Sequence, residues 1–143
     1  MKKLAVFFII IIAIICSISY LYLNYVANYK TAKKENMKFE VYIDKEIKGS
    51  ELTTVINKAI DNNEQNEITK DDKGKYIDNG KNSINIDVKF IDDDVIYNIE
   101  KIYQAKMEQF LYFYRDITFK CSEVQYHSIT GKVKYMKFEQ LTQ

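Results

Sequence analysis

The first long run of apolar positions lies close to the start of the chain. From Leu4 to Leu23, twenty residues follow one another without a charged side chain. An α-helix of that length spans about 30 Å, which matches the hydrocarbon core of a bilayer. A secretory signal has a shorter apolar region of about 7–15 residues. The run therefore predicts a retained single-pass signal anchor, and cleavage after Ser19, with Ser17 two positions before it, is the alternative.

The residues after this run indicate where the bilayer ends. Tyrosine favours the membrane–water interface, and four tyrosines follow the most apolar stretch. They are Tyr20, Tyr22, Tyr25 and Tyr29. A very short N-terminal tail that carries Lys2 and Lys3 is typical of a signal anchor whose N-terminus lies inside the cell. We therefore expect residues 1–36 to form the anchor and juxtamembrane segment in the cell membrane, and residues 37–143 to form a domain outside the cytoplasm.

Two patterns of different period occupy the first half of this domain. Apolar and polar residues alternate over 37–43, which predicts either a strand or the end of a helix that rises from the membrane. A helix is predicted to begin after Ser50, a suitable N-cap. Its apolar positions recur every three or four residues as a single stripe, and Asp61-Asn62-Asn63 is expected to end it. The stripe contains Leu52, Val55, Ile56, Ala59 and Ile60.

The second half alternates between strand and helix patterns. Turns are predicted at 71–74 and 78–80, followed by a half-buried strand over 83–91. Residues 92–114 have a helical apolar face, and three aspartates, Asp92, Asp93 and Asp94, are suited to its N-terminus. Strands are predicted over 117–128 and 131–140, with a bulge between Cys121 and Val124. The expected fold is α+β, with two amphipathic helices on one face of an antiparallel sheet of about four or five strands.

Composition and charge exclude several classes of function. The chain of 143 residues has 21 basic and 20 acidic side chains, and all the basic ones except Arg115 are lysines. Bidentate recognition of phosphate depends on arginine, so we expect no nucleic-acid partner. The single histidine, His127, and the two cysteines are too few for a zinc site. Cys121 is interpreted as a core thiol and His127 as an exposed or locally hydrogen-bonded residue, and no catalytic, metal or cofactor site is predicted.

Aromatic residues provide the remaining candidate site. The segment 110–114 places five aromatic or aliphatic residues in succession, so some of them must point away from the core. The last two strands carry apolar residues on both faces. A surface of this kind packs against a second copy or a protein partner, whereas the alternative is a thick core. The candidate interaction residues are Tyr112, Phe113, Tyr126, Tyr135 and Phe138.

Two resemblances extend this prediction. An apolar N-terminal helix that leads into a small α+β head resembles the layout of pilins and pseudopilins, although the Gly–Phe processing site and the acidic residue after it are lacking. The segment KEIKGSELTTVINKAIDNNEQNEI, residues 45–68, is similar to segments of uncharacterised small single-pass membrane proteins of low-GC Gram-positive bacteria. The pilin-like layout implies a surface or secretion assembly component, and the second similarity implies no activity. The sequence therefore predicts a non-enzymatic protein-interaction domain, and the alternative is a small-ligand-binding or enzymatic domain that uses carboxylate and tyrosine side chains.

Overall fold

A computed structural model describes residues 2–91 and 96–141. The elements follow in the order α1 (Lys2–Glu40), β1 (Glu46–Lys48), α2 (Gly49–Gln65), β2 (Asn85–Lys89), β3 (Ile96–Asn98), α3 (Ile99–Gln104), α4 (Met107–Tyr114), β4 (Thr118–Tyr126) and β5 (Val133–Gln140). The predicted α+β class is confirmed: a long apolar N-terminal helix precedes an open five-stranded sheet with further helices. We call residues 41–141 together with the end of α1 the head.

The sheet has the strand order β1-β4-β5-β2-β3 and is mixed. Three neighbouring pairs are antiparallel, but β2 and β5 run parallel, with Ile86 opposite Met136 and Val88 opposite Phe138. The predicted sheet was antiparallel throughout. Hydrophobic alternation reports which face of a strand is buried and not its direction, so the sequence pattern could not reveal the parallel pair.

The core lies between one face of the sheet and the helices. Alternate residues of β2, β4 and β5 point to this face, and the predicted stripe of α2 covers it. The fully buried large side chains include Leu52, Ile56, Ile86, Ile99, Phe119, Met136 and Phe138. The opposite face of β2 and β5 carries half-buried polar residues such as Asp87 and Lys137.

Two predicted helix boundaries differ from the observed ones. Residues 37–40 form the end of α1, so the helical alternative for this segment is the one observed. Helix α2 continues past Asp61-Asn62-Asn63 to Gln65, because Asn63 turns inward. Its amide donates to the Ile84 carbonyl, and its side-chain oxygen accepts from the Ile84 N–H, each at 2.8 Å. An asparagine with such partners stabilises the helix instead of ending it.

The prediction of one helix over 92–114 is wrong. The described part of this segment contains the short strand β3, a turn and a half of helix in α3, and then α4. The side chain of Asn98 accepts a hydrogen bond from the Lys101 N–H and thereby starts α3, while Lys106, with φ 66°, separates the two helices. The three aspartates predicted at the helix start lie at 92–94, outside the described residues. The predicted bulge in β4 is confirmed between Cys121 and Glu123.

Candidate functional site

Helix α4 carries two of the most exposed large side chains of the head. Tyr112 is 83% exposed and Phe113 is 67% exposed, and their rings meet edge to face with centroids 5.0 Å apart. The exposure follows from helix geometry, because Phe110 and Tyr114 on the same helix face the core. These two adjacent exposed aromatic rings form a ridge, and the Phe113 ring also lies 6.4 Å from that of Tyr114, centroid to centroid.

An aromatic groove lies along one side of the ridge. Its volume is about 370 Å³. Phe90 is at its centre, with ring centroids 5.3 Å from Tyr97 and 4.6 Å from Tyr114. The groove is lined by Phe90, Tyr97, Lys101, Ile102, Ala105, Gln109, Phe110, Phe113 and Tyr114. Because its walls are aromatic and Lys101 stands at its edge, the groove is suited to an apolar side chain beside an acidic or polar one.

A more polar and wider groove lies on the other side of the ridge, between α4 and the start of α2. Its volume is about 670 Å³. The lining residues are Ser50, Thr53, Thr54, Glu108, Leu111, Tyr112, Arg115 and Asp116. We call the ridge and the two grooves together the α4 surface. Apolar in the centre and polar at the edge, it has the composition of a protein–protein interface.

Backbone contacts fix α4 in place. The Gly49 N–H donates to the Ile117 carbonyl at 2.9 Å, and the Ser50 N–H donates to the Arg115 carbonyl at 3.1 Å. A side chain at Gly49 would overlap the Tyr114 carbonyl, so only glycine permits this close approach. The α4 surface is therefore held against the first turn of α2 and the start of β4.

The other predicted interaction residues lie elsewhere. Tyr126 is at the far end of β4 from α4, where its hydroxyl donates to Glu40 at 3.3 Å. Tyr135 is half-buried on the open face of the sheet and donates to Asp87 at 3.1 Å; burial, with the nearby Asp87 carboxylate, raises its pKa. Phe138 is fully buried and contributes to no surface, because its side chain points to the helix-covered face. The structure thus brings together only Tyr112 and Phe113.

The N-terminal helix carries the predicted membrane segment. Among the described residues, α1 is the one helix long and apolar enough to cross a bilayer, and none of its most apolar window is buried. This is consistent with a single-pass anchor or a signal sequence. The four predicted interface tyrosines, at positions 20, 22, 25 and 29, are between 59% and 69% exposed along it.

The end of α1 is attached to the head by polar contacts. The amide nitrogen of Asn36 donates to the Gly131 carbonyl, and its oxygen accepts from the Val133 N–H, both at 2.8 Å. Lys132 forms an ion pair with Glu35 at 2.6 Å. Ala32 and Phe39, one turn to either side of Asn36, are buried. We call these contacts the α1 junction; they lie on both sides of the predicted boundary between residues 36 and 37.

His127, predicted to be exposed or locally hydrogen-bonded, is buried beside the α1 junction. Its Nε2 lies 2.8 Å from the Ser83 carbonyl, and its Nδ1 lies 3.7 Å from Asp78. Hydrogen bonds from Lys134 and from the Gly80 N–H lower the pKa of Asp78 to about 2. The Ser83 hydroxyl contacts Asp78 and not the imidazole, so the three side chains do not form a nucleophilic triad. They instead connect the 78–83 turn to the β4–β5 loop.

Two further groups bear on possible chemistry. Cys121 is buried as predicted, and burial raises the pKa of its thiol, which opposes reactivity. Glu100 is buried, and one carboxylate oxygen accepts from the Tyr76 N–H while the other has no hydrogen-bond partner. The adjacent cavity has a volume of about 230 Å³, below the 300 Å³ or more of an ordinary small-ligand pocket. Within 2–91 and 96–141, no three His, Cys, Asp or Glu side chains cluster as metal ligands would.

The sequence reasoning missed Asn36, which joins the anchor helix to the head. A signal for it was present, because Ala32, Asn36 and Phe39 recur at helical spacing after the apolar run. Comparisons with protein-family models, curated proteins and solved structures found no match for the chain. A function for the chain must therefore be inferred from the geometry of the α4 surface and the α1 junction.

Proposed function

We propose that the chain is a single-pass membrane protein whose head lies outside the cytoplasm and binds a protein partner through the α4 surface. The proposed activity is binding and not catalysis. The layout of an apolar helix followed by an α+β head supports the finer proposal of a pilin-like or other component of a surface or secretion assembly.

One observation carries the proposal: the α1 junction and the α4 surface lie at opposite ends of the head. The α1 junction contacts the β4–β5 loop just after Tyr126, whereas α4 leads directly into Thr118 at the start of β4. At about 3.3 Å per residue, the nine residues of β4 separate the two ends by roughly 26 Å. A head anchored through α1 would thus present the α4 surface away from the bilayer, where a partner can reach it.

The exposure of the ridge supports a protein partner more than a small ligand. Apolar patches that combine exposed aromatic rings with a polar edge are typical of protein-binding sites. A partner with a protruding apolar side chain would bury Phe113 and enter the aromatic groove, while its polar residues would contact Arg115 and Glu108 in the second groove. The cavity beside Glu100, which Lys70 also lines, is the observation that favours the alternative, ligand binding, but its volume of about 230 Å³ is smaller than that of either groove of the α4 surface.

Site-specific photocrosslinking in intact cells tests the proposal. A benzophenone amino acid placed at Phe113 should form discrete adducts, while the same group at Tyr103 should not. Tyr103 is a matched control because it is an aromatic residue of α3 that is 53% exposed and lies outside both grooves. An adduct of twice the mass of the chain would identify the partner as a second copy. Equal adduct patterns at both positions, or none at either, would contradict a binding role for the α4 surface.

A further inference from the structure

Three contacts show which end of the head faces the N-terminal part of α1. Asn36 meets Val133, whose partner on β4 is Tyr126 at the end of that strand. Seven residues later, Ile43 pairs with Cys121, and Lys48 pairs with Thr118 at the start of β4. The chain therefore moves steadily along β4 away from the β4–β5 loop. In the reverse direction, α1 leaves the head on the side of this loop.

The tip of the β4–β5 loop, residues 128–131, carries an isolated apolar side chain. Ile129 is 76% exposed, the highest value among the large apolar residues described in the head except for Tyr112. The tip is held in a defined position. Asn36 donates to the Gly131 carbonyl, and the Thr130 hydroxyl donates to the Lys81 carbonyl at 2.5 Å. At this exposure Ile129 buries little apolar area within the head, so its side chain is available to a surface outside it.

The length of α1 between the apolar run and the junction sets the height of this tip. Ala32, the first residue of α1 that is buried, lies nine residues after Leu23, or about 14 Å along the helix axis. The headgroup region extends about 5–8 Å beyond the hydrocarbon core, and spanning helices tilt by about 20° on average. A tip that projects from the junction towards the bilayer would reach the headgroups on the side to which α1 tilts.

The charges around the tip favour an anionic surface. Lys30, Lys33 and Lys34 are exposed on α1 just before the junction, and Lys81 is exposed beside the tip. The acidic residues nearby already have cationic or hydroxyl partners: Glu35 pairs with Lys132, Glu40 accepts from Tyr126, and Asp78 pairs with Lys134 at 2.7 Å. Lys33 lies about 60° around α1 from Asn36 and so flanks the junction, whereas Lys30 and Lys34 lie on the far face of the helix. On the tip side, Lys33 and Lys81 therefore provide the positive charge, and basic residues close to a membrane are attracted to anionic lipids.

We propose that the β4–β5 tip, with Lys33 and Lys81, forms a membrane-docking site for anionic phospholipid headgroups, with Ile129 inserted at the interface. This inference rests on the proposed function, because it requires α1 to span the bilayer. Docking would limit rotation and tilt of the head about α1, so that the α4 surface points in one direction relative to the membrane.

Nitroxide accessibility in reconstituted vesicles tests the docking site. The full chain is placed in phosphatidylglycerol vesicles with a spin label at one of three positions: native Cys16, Ile129→Cys or Tyr112→Cys, the last two in a Cys16→Ser background. Cys121 stays in place, since it is buried and its thiol should remain unlabelled, and the unsubstituted Cys16→Ser chain measures that background. The collision rates of each label with oxygen and with a water-soluble nickel chelate report its depth.

The label at position 129 should collide with the nickel chelate several-fold less often than the label at position 112, and this protection should weaken in phosphatidylcholine vesicles. Equal accessibility at 129 and 112, with the label at Cys16 protected, would overturn the docking site but leave the anchor intact. A label at Cys16 that is accessible to the chelate would contradict the anchor, and with it the proposed function. Protection at 129 that is equal in both lipids would overturn the role of the lysines.

Discussion

The two ends of the head are held together by different kinds of contact. At the α1 junction, directional hydrogen bonds join Asn36 to the β4–β5 loop, and beside it another joins His127 to Ser83. At the opposite end, Phe90 packs against Phe110 and Phe119 with ring centroids 6.0–6.3 Å apart. Side-chain hydrogen bonds thus add to the buried Ala32 and Phe39 at the first end, whereas aromatic packing adds to the backbone hydrogen bonds of Gly49 and Ser50 at the second.

This difference has a consequence for function. Hydrogen bonds with defined geometry fix one arrangement of α1 on the head, and a buried polar group that loses its partner is costly. Aromatic packing is less directional and extends without interruption from the buried Phe110 to the exposed Phe113. The polar end is thus suited to a permanent attachment within the chain, and the aromatic end to a contact with another molecule.

The largest expected effect separates the buried and exposed parts of α4. Phe110→Ala should lower the free energy of unfolding by about 3–5 kcal/mol, because it removes a buried ring that contacts Phe90 and Phe119. Phe113→Ala, three residues away on the same helix, should change it by less than about 0.5 kcal/mol. Urea unfolding of the full chain in detergent micelles, followed by near-UV circular dichroism, measures both. A similar cost for the two variants would show that Phe113 is part of the core and not of a binding surface.

An intermediate effect is expected at the α1 junction. Asn36→Ala removes two hydrogen bonds and leaves the Val133 N–H without a partner, so it should cost about 1–3 kcal/mol. The Val133 amide should also exchange its hydrogen faster. Met37→Ala is the control, because Met37 is the next residue of α1 and is 58% exposed. If Asn36→Ala behaved like Met37→Ala in both measurements, α1 would be a flexible tether and the polar attachment would be unsupported.

The smallest expected effect is a loss of stability at low pH. The pKa of Asp78, about 2 in the folded chain, lies below its ordinary value of 3.8, chiefly because of the hydrogen bond from Lys134. This contribution to stability is fully present above pH 3.8 and is lost as the pH falls through about 2. Since the Asp78 side chain is 37% exposed and solvent screens the pair, we expect no more than about 1 kcal/mol. The free energies of unfolding of the native chain and of Asp78→Asn should therefore approach each other by that amount as the pH falls from 5 to 2. A difference between them that stays constant over this range would show that the carboxylate contributes nothing.

The sequence patterns predicted those elements whose structure follows from local periodicity. Helix α2 and strand β2 have a clear apolar period, and their buried residues are the expected ones; the β4–β5 hairpin and its bulge were also predicted, but the burial of Phe138 was not. The segment 92–114 also has a helical period. A periodic pattern does not reveal that Asn98 caps a new helix or that Lys106 has a positive φ, and these two features divide the segment. Strand β1 was missed because three residues are too few to show a period.

The candidate site was predicted only in part for a similar reason. Successive aromatic residues on one helix must point in different directions, so an exposed pair on α4 could be anticipated, and Tyr112 and Phe113 form it. Phe138 was assigned to the surface because β5 carries apolar residues on both faces. In the structure Phe138 lies opposite the buried Val88 of β2, on the face that the helices cover, and the sequence pattern does not show this pairing. The α1 junction depends on contacts between residues almost 100 positions apart, such as Asn36 and Val133, which a single sequence does not reveal.

The central claim is that α1 stays in the membrane and holds the head outside the cytoplasm. Proteolysis of intact protoplasts, combined with a carbonate wash and determination of the N-terminus, tests it most directly. The account predicts a chain of 16.9 kDa that remains with the membrane after the wash and whose head is digested by external protease. A mature protein that begins at Tyr20 and is free in the medium would contradict the anchor, and a membrane-bound head protected from the protease would place it in the cytoplasm.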